Sequence, residues 1–414
     1  MNRFCGIDWA EDHHDVAVID AHGQLVIKRR ITDDADGFAE LLGMLESVGD
    51  TSNDPIPVAI ETPRGLLVPA LRATDRPIYA INPMAVARYR ERHSVARKKS
   101  DHADAMTLAN ILRTDAHMHR QLPADSDLVR SIAVLARAAE DAAWRCTRAT
   151  QELRALLREY YPTFLEAFAG TVHTNLAKLE AHAVLAIAPT PQQGAKLTKP
   201  RIIAALRRAG RQRMLDGTAT RIQHALRRPQ LRQLLIFEQA IGRQAVALLA
   251  TLNTECANAD NLIAASIEAF RQHPDYQIIT SFPGLGDSTG TRVLAEIGDD
   301  RRRFADARRL KAFAGSAPIT SASGRSTSIT HRRVKNNRLA AVGFVWAFAV
   351  IPRPDPAKDH YERRRALGDR HAAALRHLFN RFRGQLWHCL QTEQTYNESK
   401  AWNSVMTTPV PNAA

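Results

Sequence analysis

The sequence predicts a mixed α/β domain followed by mostly helical segments. Over residues 3–93, short apolar runs of strand length alternate with stretches of helical periodicity. From about Leu128 onward, apolar residues recur at three- and four-residue spacing, which is typical of amphipathic helices. At 414 residues the chain is long enough for two or three domains, each with its own core.

The elements of the N-terminal region follow from its local patterns. Three strands are predicted within residues 3–32, over "RFCGID", the alternating "DVAVID" and, after the turn signal "AHG", "QLVIKRRI". Helices are then predicted over "GFAELLGMLESV", "GLLVPALRA" and "PMAVARYRERH", and strands over "IPVAIET" and "PIYAINP". Three leading strands followed by alternating strands and helices favour a mixed sheet covered by helices.

Two long helices are predicted in the middle of the chain. One runs from about Leu128 to Phe168 and the other from about Gln230 to Phe270. Between them lie a Pro/Gln/Gly-rich connector, residues 188–200, and basic helical segments. Two such helices would pack as an antiparallel arm or mediate a dimer.

Three features predict a soluble cytoplasmic protein without a membrane span. The start "MNRFCGIDWAEDHH" lacks the apolar core of a signal peptide. The longest apolar run, Leu339–Ile351, is too short to cross a bilayer and predicts a buried helix. The four cysteines lie far apart and form no C-x-x-C pair, so the sequence predicts neither a zinc site nor a disulfide framework.

Positive charge is concentrated in two segments. Residues 301–383 hold 20 Lys+Arg against 5 Asp+Glu, and residues 196–232 hold 11 basic residues against one acid, Asp216. Together they exceed the net charge of +14, so the rest of the chain is net acidic. Clustered positive charge predicts a polyanion partner, either DNA or RNA. The alternative is an arginine-rich composition with solvated faces.

A helix-hairpin-helix is predicted from Ile278 onward. The stretch "IITSFPGLGDSTGTRVLAEIGD" indicates two helices around a tight turn with Gly284 and Gly286. Backbone N–H groups of such a turn and of the next helix N-terminus can hold a DNA phosphate. The alternative is a helical hairpin without a ligand. Beyond about Gln391 the chain is polar and is predicted to be frayed.

Four acidic residues occur where strand ends and a helix start would bring carboxylates together. Asp8 and Glu61 end two predicted strands, and parallel neighbours would place them at one sheet edge. Asp101 and Asp104 share one helical face. Such an oxygen-rich set suits Mg²⁺, and two ions about 3.5–4 Å apart promote phosphodiester cleavage. This order of acids is that of a ribonuclease H-like fold.

Each of these residues also has a purely structural interpretation. Ser100 is a good N-cap, and Asp101 and Asp104 would then complement the helix dipole. Asp8 would form a turn, and Glu61 would be a surface acid. In the functional interpretation, Lys98 and Lys99 face a phosphate backbone.

Several motifs resemble the DEDD transposases of bacterial insertion sequences, relatives of Piv-type DNA invertases that are described as bridge-RNA-guided recombinases. The resemblance covers roughly residues 1–120 and 276–385. It rests on "GIDWAEDHHDVAVID", "IETPRG", "YAINP", "ARKKSDHADAMTLANIL", "FPGLGDSTGTRVLAEIGD", "FADARRLKAFAGSAP" and "SGRSTSITHRRVKNNRL". It implies a RuvC-like Mg²⁺ site formed by Asp8, Glu61, Asp101 and Asp104.

The resemblance also implies a nucleophilic serine. The family places it in an S-G context soon after an A-G-x-x-P element, and aligning "AGSAPITSASG" selects Ser323, with Ser321 as the alternative. The acids of one subunit would activate the serine of another. Charge on the transferred phosphoryl group would be neutralised by Arg325, Arg332, Arg333 and Lys335.

Together these inferences predict an insertion-sequence transposase that cuts and rejoins DNA through a phosphoserine intermediate, guided by a structured RNA and working as a homodimer or homotetramer. Its parts would be a RuvC-like domain (1–122), a helical coiled-coil arm (123–275), a mostly helical C-terminal domain (276–390) and a polar tail (391–414). The alternatives are a structure-selective endonuclease that uses water and a non-catalytic DNA-binding protein. The basic segment 196–232 matches no motif of the family.

Overall fold

The computed structural model describes residues 3–93, 101–169, 176, 178–324, 326–330 and 332–403, without the side chains of 93, 101, 102, 327, 329 and 403. The chain divides into two compact units, Met1–Ala124 and Asp125–Ala414. The first is a mixed α/β unit and the second is mostly helical, so the predicted fold class is confirmed at this level.

The N-terminal unit contains one five-stranded sheet among the described residues. Its strand order is β3-β2-β1-β4-β5, in which β1, β2 and β3 are antiparallel and β1, β4 and β5 are parallel. The elements are β1 (Phe4–Trp9), β2 (His13–Ile19), β3 (Leu25–Thr32), α1 (Ala35–Ser47), β4 (Val58–Ile60), α2 (Leu67–Arg72), β5 (Ile78–Ala80), α3 (Pro83–His93) and α4 (Asp101–Asp115).

The two faces of this sheet have separate cores. On one face, Cys5 and Ile7 of β1 join a buried cluster with residues of α1 and α2. On the other face, Ala59 of β4 packs with residues of α3 and α4. Because successive strand residues point to opposite faces, Gly6 and Asp8 lie on the α4 side of the sheet.

Gly6 allows α4 to lie directly on β1. A Cβ atom at Gly6 would be 2.0 Å from Ala105 O and 2.6 Å from Ala109 N. Both are backbone atoms of α4, so a side chain at position 6 would displace the helix. The close approach also brings Asp104, the neighbour of Ala105, toward the end of β1.

The C-terminal unit consists of helices and one hairpin in its described part. The elements are α5 (Asp127–Tyr160), α6 (Pro162–Ala167), α7 (Leu179–Ile187), α8 (Pro191–Ala195), α9 (Lys199–Arg208), α10 (Leu215–Arg227), α11 (Leu235–Arg271), α12 (Tyr276–Thr280), α13 (Asp287–Ile297), α14 (Ala307–Phe313), β6 (Ile319–Ser323), β7 (Ser326–Thr330), α15 (Asn337–Val350), α16 (Pro356–Ala366), α17 (His371–Thr392) and α18 (Glu398–Asn403).

The helices α5 and α11 form an antiparallel pair. Cys146 and Cys256 join them through a disulfide across a sequence separation of 110 residues. The sequence predicted no disulfide framework and did not reveal this single pair, because antiparallel packing brings together two cysteines that are far apart in the sequence. The helix predicted to reach Phe168 ends at Tyr160, since Pro162 starts α6 and cannot continue α5.

Helix α11 is long and apolar enough, by length and composition alone, to cross a membrane. The prediction of no membrane span was based on Leu339–Ile351, the longest apolar run. One side of α11 packs against its neighbours through Ala245, Leu249 and Leu252, all buried. Core helices of soluble proteins pass the same test, so this is weak evidence for a membrane span.

Two hydrophobic cores lie at the two ends of the α5–α11 pair. Leu153 and Leu157 of α5 join a cluster with α6–α10, and Val129 and Ile132 join a second cluster with the helices after α11. The first turns of α5, within the segment predicted as the arm, therefore belong to the same core as the C-terminal helices.

The tail was predicted to be polar and frayed beyond Gln391, and this is wrong for residues 398–403. These residues form α18, and Trp402 is buried in the second core with the Arg381 guanidinium 4.2 Å from its ring centroid. One tryptophan gives an otherwise polar segment an apolar anchor, which its average composition does not reveal. Residues 404–414 lie outside the described part of the chain.

Replacing Gly6 by alanine is expected to lower the free energy of unfolding by about 1–3 kcal/mol, because the new Cβ would overlap the α4 backbone. Urea unfolding measures the change. Gly43→Ala in α1 is the matched control, since a Cβ there meets nothing within 4 Å. That control should stabilise the protein by about 0.5–1 kcal/mol. Equal unfolding midpoints for the two variants would contradict the close packing of β1 on α4.

Candidate carboxylate site and serine hairpin

Three of the four predicted carboxylates line one cavity in the N-terminal unit. Asp8 at the end of β1, Glu61 directly after β4 and Asp104 in α4 lie around a cavity of about 450 Å³. The strands β1 and β4 are parallel with Ile7 opposite Ile60, so the residues that follow them emerge side by side. The juxtaposition predicted from strand ends and a helix start is therefore present for these three residues.

The fourth predicted carboxylate, Asp101, is described only by its backbone. Asp101 is the first residue of α4 and lies three positions before Asp104, on the same face of the helix. Its side chain lies outside the described residues, as do Lys98, Lys99 and the predicted N-cap Ser100. Their roles stay predictions.

Asp15 is a further carboxylate at this cavity, and the sequence analysis missed it. It lies on β2 directly opposite Asp8 and is 2% exposed. Arg30 of β3 donates two hydrogen bonds to it, with N–O distances of 3.2 and 2.8 Å. Two carboxylates opposite each other on neighbouring strands repel, and the Arg30 guanidinium offsets this repulsion. The register that pairs Asp8 with Asp15 could not be read from the "WAEDHH" turn.

His13 lines the same cavity and was not predicted either. Its Nδ1 lies 2.7 Å from Asp12 Oδ1, and its Nε2 lies 3.9 Å from Asp15 Oδ2. The imidazole therefore stands between an exposed carboxylate and a buried one, and it adds a group to the cavity that can accept or donate a proton.

Arg90 of α3 places a guanidinium among these carboxylates. Its Nη2 lies 2.7 Å from Asp104 Oδ1, and both side chains line the cavity. Asp104 is 5% exposed, so water contributes little to the solvation of its charge. The Arg90 guanidinium compensates that charge.

The donor chemistry of the cavity suits a hard divalent cation, because carboxylate oxygens are the ligands that Mg²⁺ prefers. In the part of the chain that the structure describes, no three histidine, cysteine or carboxylate groups form a ready-made metal cluster. Asp104 pairs with Arg90 and Asp15 pairs with Arg30. An ion shared by Asp8, Glu61 and Asp104 would therefore require Asp104 to change its partner.

The serine-rich stretch of the C-terminal unit forms a hairpin of β6 and β7. Ser323 ends β6 and pairs with Ser326, and Ser321 pairs with Ser328. Gly324 adopts φ +55° in the turn, a conformation that glycine adopts without a steric penalty. Ser321 and Ser323 are two positions apart on one face of the strand and are both exposed, so the hairpin presents both hydroxyls.

Of the four basic residues predicted to neutralise the phosphoryl group, two line a small cavity. Arg332 and Lys335 line a cavity of about 180 Å³ together with Arg376 of α17. Arg333 is exposed, and Arg325 lies outside the described residues. Three cations at one small cavity favour an anionic ligand there.

Gly284 and Gly286 occupy the turn between α12 and α13. Gly284 adopts φ +78°, and a Cβ there would be 3.1 Å from Trp346 O, so this glycine packs against α15. Gly286 precedes α13 and has open space where a Cβ would be.

The adjacent Asp287 is bound by Arg271, which lowers the pKa of the carboxyl group, so a phosphate at this helix end would meet a negative charge. Two short helices and a turn are present, and DNA binding by them stays a prediction.

Two family models match this chain. A DEDD transposase domain of the IS110 type matches residues 5–162, and a domain described as transposase of the IS116/IS110/IS902 family matches residues 276–362. Together these ranges cover more than half of the sequence.

Curated relatives extend the match to nearly the whole length. The chain is 55% identical to the candidate transposase of the IS117 mini-circle of Streptomyces coelicolor, over 97% of each chain. It is 30% identical to an uncharacterised 43.6 kDa protein of insertion element IS110 from the same species, over 68% of this chain and 67% of the relative. It is 26% identical to an uncharacterised 42 kDa protein of insertion element IS900 from Mycobacterium paratuberculosis, over 95% and 97%.

Proposed function

This chain belongs to the IS116/IS110/IS902 family of transposases, and from this membership we propose that it moves its insertion element by cleaving and rejoining DNA through a phosphoserine intermediate. The nucleophile is Ser323, and Mg²⁺ is held by Asp8, Glu61, Asp101 and Asp104. The observation that carries the proposal is the shared cavity of Asp8, Glu61 and Asp104, which come from three elements distant in sequence.

The proposed reaction begins at the Ser323 hydroxyl. Its oxygen forms a bond to phosphorus while the bond from phosphorus to the departing sugar oxygen breaks. The serine gives up its proton and the departing oxygen gains one, so both atoms need acid–base assistance. Ser323 lies at the end of β6, next to the hairpin turn, and we assign its activation to the acids of another subunit.

Rejoining is the reverse step with a different sugar hydroxyl. The phosphoserine is a diester, so the energy of the broken DNA bond is retained, and the strand can be joined without an external energy source. Retention of the bond energy distinguishes a recombinase from a nuclease, which transfers the phosphate to water.

The chain's charged groups have separate tasks in this scheme. When bound, Mg²⁺ would stabilise negative charge on the attacking and leaving oxygens. Arg332 and Lys335, with Arg376, would hold the phosphate near the serine hairpin through charge-assisted hydrogen bonds. The exposed Arg333 would contact a neighbouring phosphate.

Two other functions are compatible with parts of the molecule. A structure-selective endonuclease would use the same carboxylates with water as the nucleophile, and a non-catalytic DNA-binding protein would need only the basic surfaces. Neither requires an exposed serine, and the hairpin presents Ser323 at an exposed position, which favours strand transfer.

The Ser323→Ala variant is expected to form no covalent protein–DNA adduct, because alanine has no hydroxyl to attack phosphorus. Incubation with element-end DNA and Mg²⁺, followed by denaturing electrophoresis of labelled DNA, measures the adduct. Ser321→Ala is the matched control, since it lies on the same strand face and should retain the adduct. If Ser323→Ala forms the adduct and Ser321→Ala does not, the nucleophile is Ser321. Cleavage without any adduct in the wild type would favour the endonuclease.

The proposed partners are element DNA and a structured guide RNA. The basic segment 196–232, for which the sequence analysis found no motif, forms α9 and α10, and Arg201, Arg207 and Arg208 are exposed on α9. Basic helices of this kind can bind the phosphates and 2′-hydroxyls of RNA. A homodimer or homotetramer in the cytoplasm would bring the acids of one subunit to the serine of another.

Guide RNA is expected to co-purify with the full chain when protein and insertion element are co-expressed. Replacing Arg207 and Arg208 together by glutamine should make the negative slope of log affinity against log salt less steep by roughly 1.4, at about 0.7 per phosphate contact. Sequencing the bound nucleic acid and titrating it at several salt concentrations tests this. Recovery of only heterogeneous cellular RNA would remove the guided part of the proposal and leave the strand chemistry standing.

A further inference from the structure

The pairing of Arg90 with Asp104 has a consequence for metal binding. Asp104 has to be a metal ligand if the proposed function is correct, yet its Oδ1 lies 2.7 Å from Arg90 Nη2 in an ion pair. A guanidinium and a divalent cation compete for the same carboxylate and also repel each other at short range. Both cannot be close to Asp104 in their preferred positions.

We propose that Arg90 is an internal counter-cation that pairs with Asp104 until a divalent metal ion displaces it, so that metal binding and release of the Arg90 guanidinium are one coupled step. The inference rests on the proposed function, because it requires Asp104 to bind metal. It makes Arg90 a positioning residue, which pairs with a buried carboxylate and orients it before the ion arrives.

The contacts of Arg90 suit a side chain that leaves Asp104 when a metal ion binds there. Its Nε is buried without a hydrogen-bond partner among the described residues, and one Nη2 contact joins it to Asp104. Its side chain is 34% exposed, so water can hydrate the guanidinium once it has left Asp104.

The neighbouring pair of Arg30 and Asp15 provides a contrast within the same cavity. Arg30 donates from both Nε and Nη2 to the two oxygens of Asp15, whose side chain is 2% exposed. Two parallel hydrogen bonds hold a guanidinium more firmly than one. We therefore assign exchange to Arg90 and a permanent structural role to Arg30.

Metal titration of the full chain without nucleic acid tests the proposal. Calorimetry with Mn²⁺ should show that Arg90→Gln binds the ion at least about fivefold more tightly than the wild type, since the competing cation is gone. Arg88→Gln removes the same charge from the exposed face of the same helix and should change the affinity less than about twofold. Unchanged or weaker binding by Arg90→Gln, or an equal gain in Arg88→Gln, would overturn the inference.

A second measurement on the wild-type protein covers the case in which Arg90→Gln does not fold. Phenylglyoxal labelling, read by mass spectrometry, should modify Arg90 several-fold faster with saturating Mg²⁺ than without it, while Arg88 keeps its rate. An unchanged Arg90 rate overturns the inference.

The proposed function fails separately from this inference. If Asp8→Asn and Glu61→Gln leave the Mn²⁺ affinity unchanged, the carboxylate cavity is not the metal site and both claims fall. If those variants bind weakly while Arg90→Gln equals the wild type, the metal site stands and only the role of Arg90 is overturned.

Discussion

The candidate site depends on the direct contact between the backbone of β1 and the backbone of α4. Gly6 makes this contact possible, because no side chain separates the strand from Ala105 and Ala109. Strand alternation then places Asp8 on the same side as Gly6, and parallel pairing of β1 with β4 adds Glu61 beside it. The gathering of these carboxylates thus follows from one packing constraint and one strand register.

Charge balance is the second constraint on this site. Asp8, Asp15, Glu61 and Asp104 share one cavity, and buried carboxylates are tolerated only with compensating cations. Arg30 compensates Asp15 through two hydrogen bonds, and Arg90 compensates Asp104 through one. The protein can therefore fold with its carboxylates already gathered, and a metal ion would enter a prearranged set of oxygens.

Sequence patterns were sufficient for features determined by local periodicity. The strand that carries Asp8, the strand that precedes Glu61 and the mixed sheet that contains both follow from alternation and from the order of elements. Features that depend on tertiary pairing were missed. Three contacts join segments whose spacing along the chain does not predict that they meet. They are the pairing of Asp15 with Asp8, the contact of Arg90 in α3 with Asp104, and the disulfide between Cys146 and Cys256. The nucleophile was selected only through family resemblance, since Ser321 and Ser323 are alike in exposure and strand face.

The central claim is that Asp8, Glu61 and Asp104 bind the same divalent metal centre. Anomalous diffraction from crystals of the protein grown with Mn²⁺ measures this directly. The account predicts one or two manganese peaks within coordination distance of all three carboxylates, with Arg90 moved away from Asp104. Manganese bound elsewhere, with Arg90 still on Asp104 and the cavity containing no peak, would contradict it.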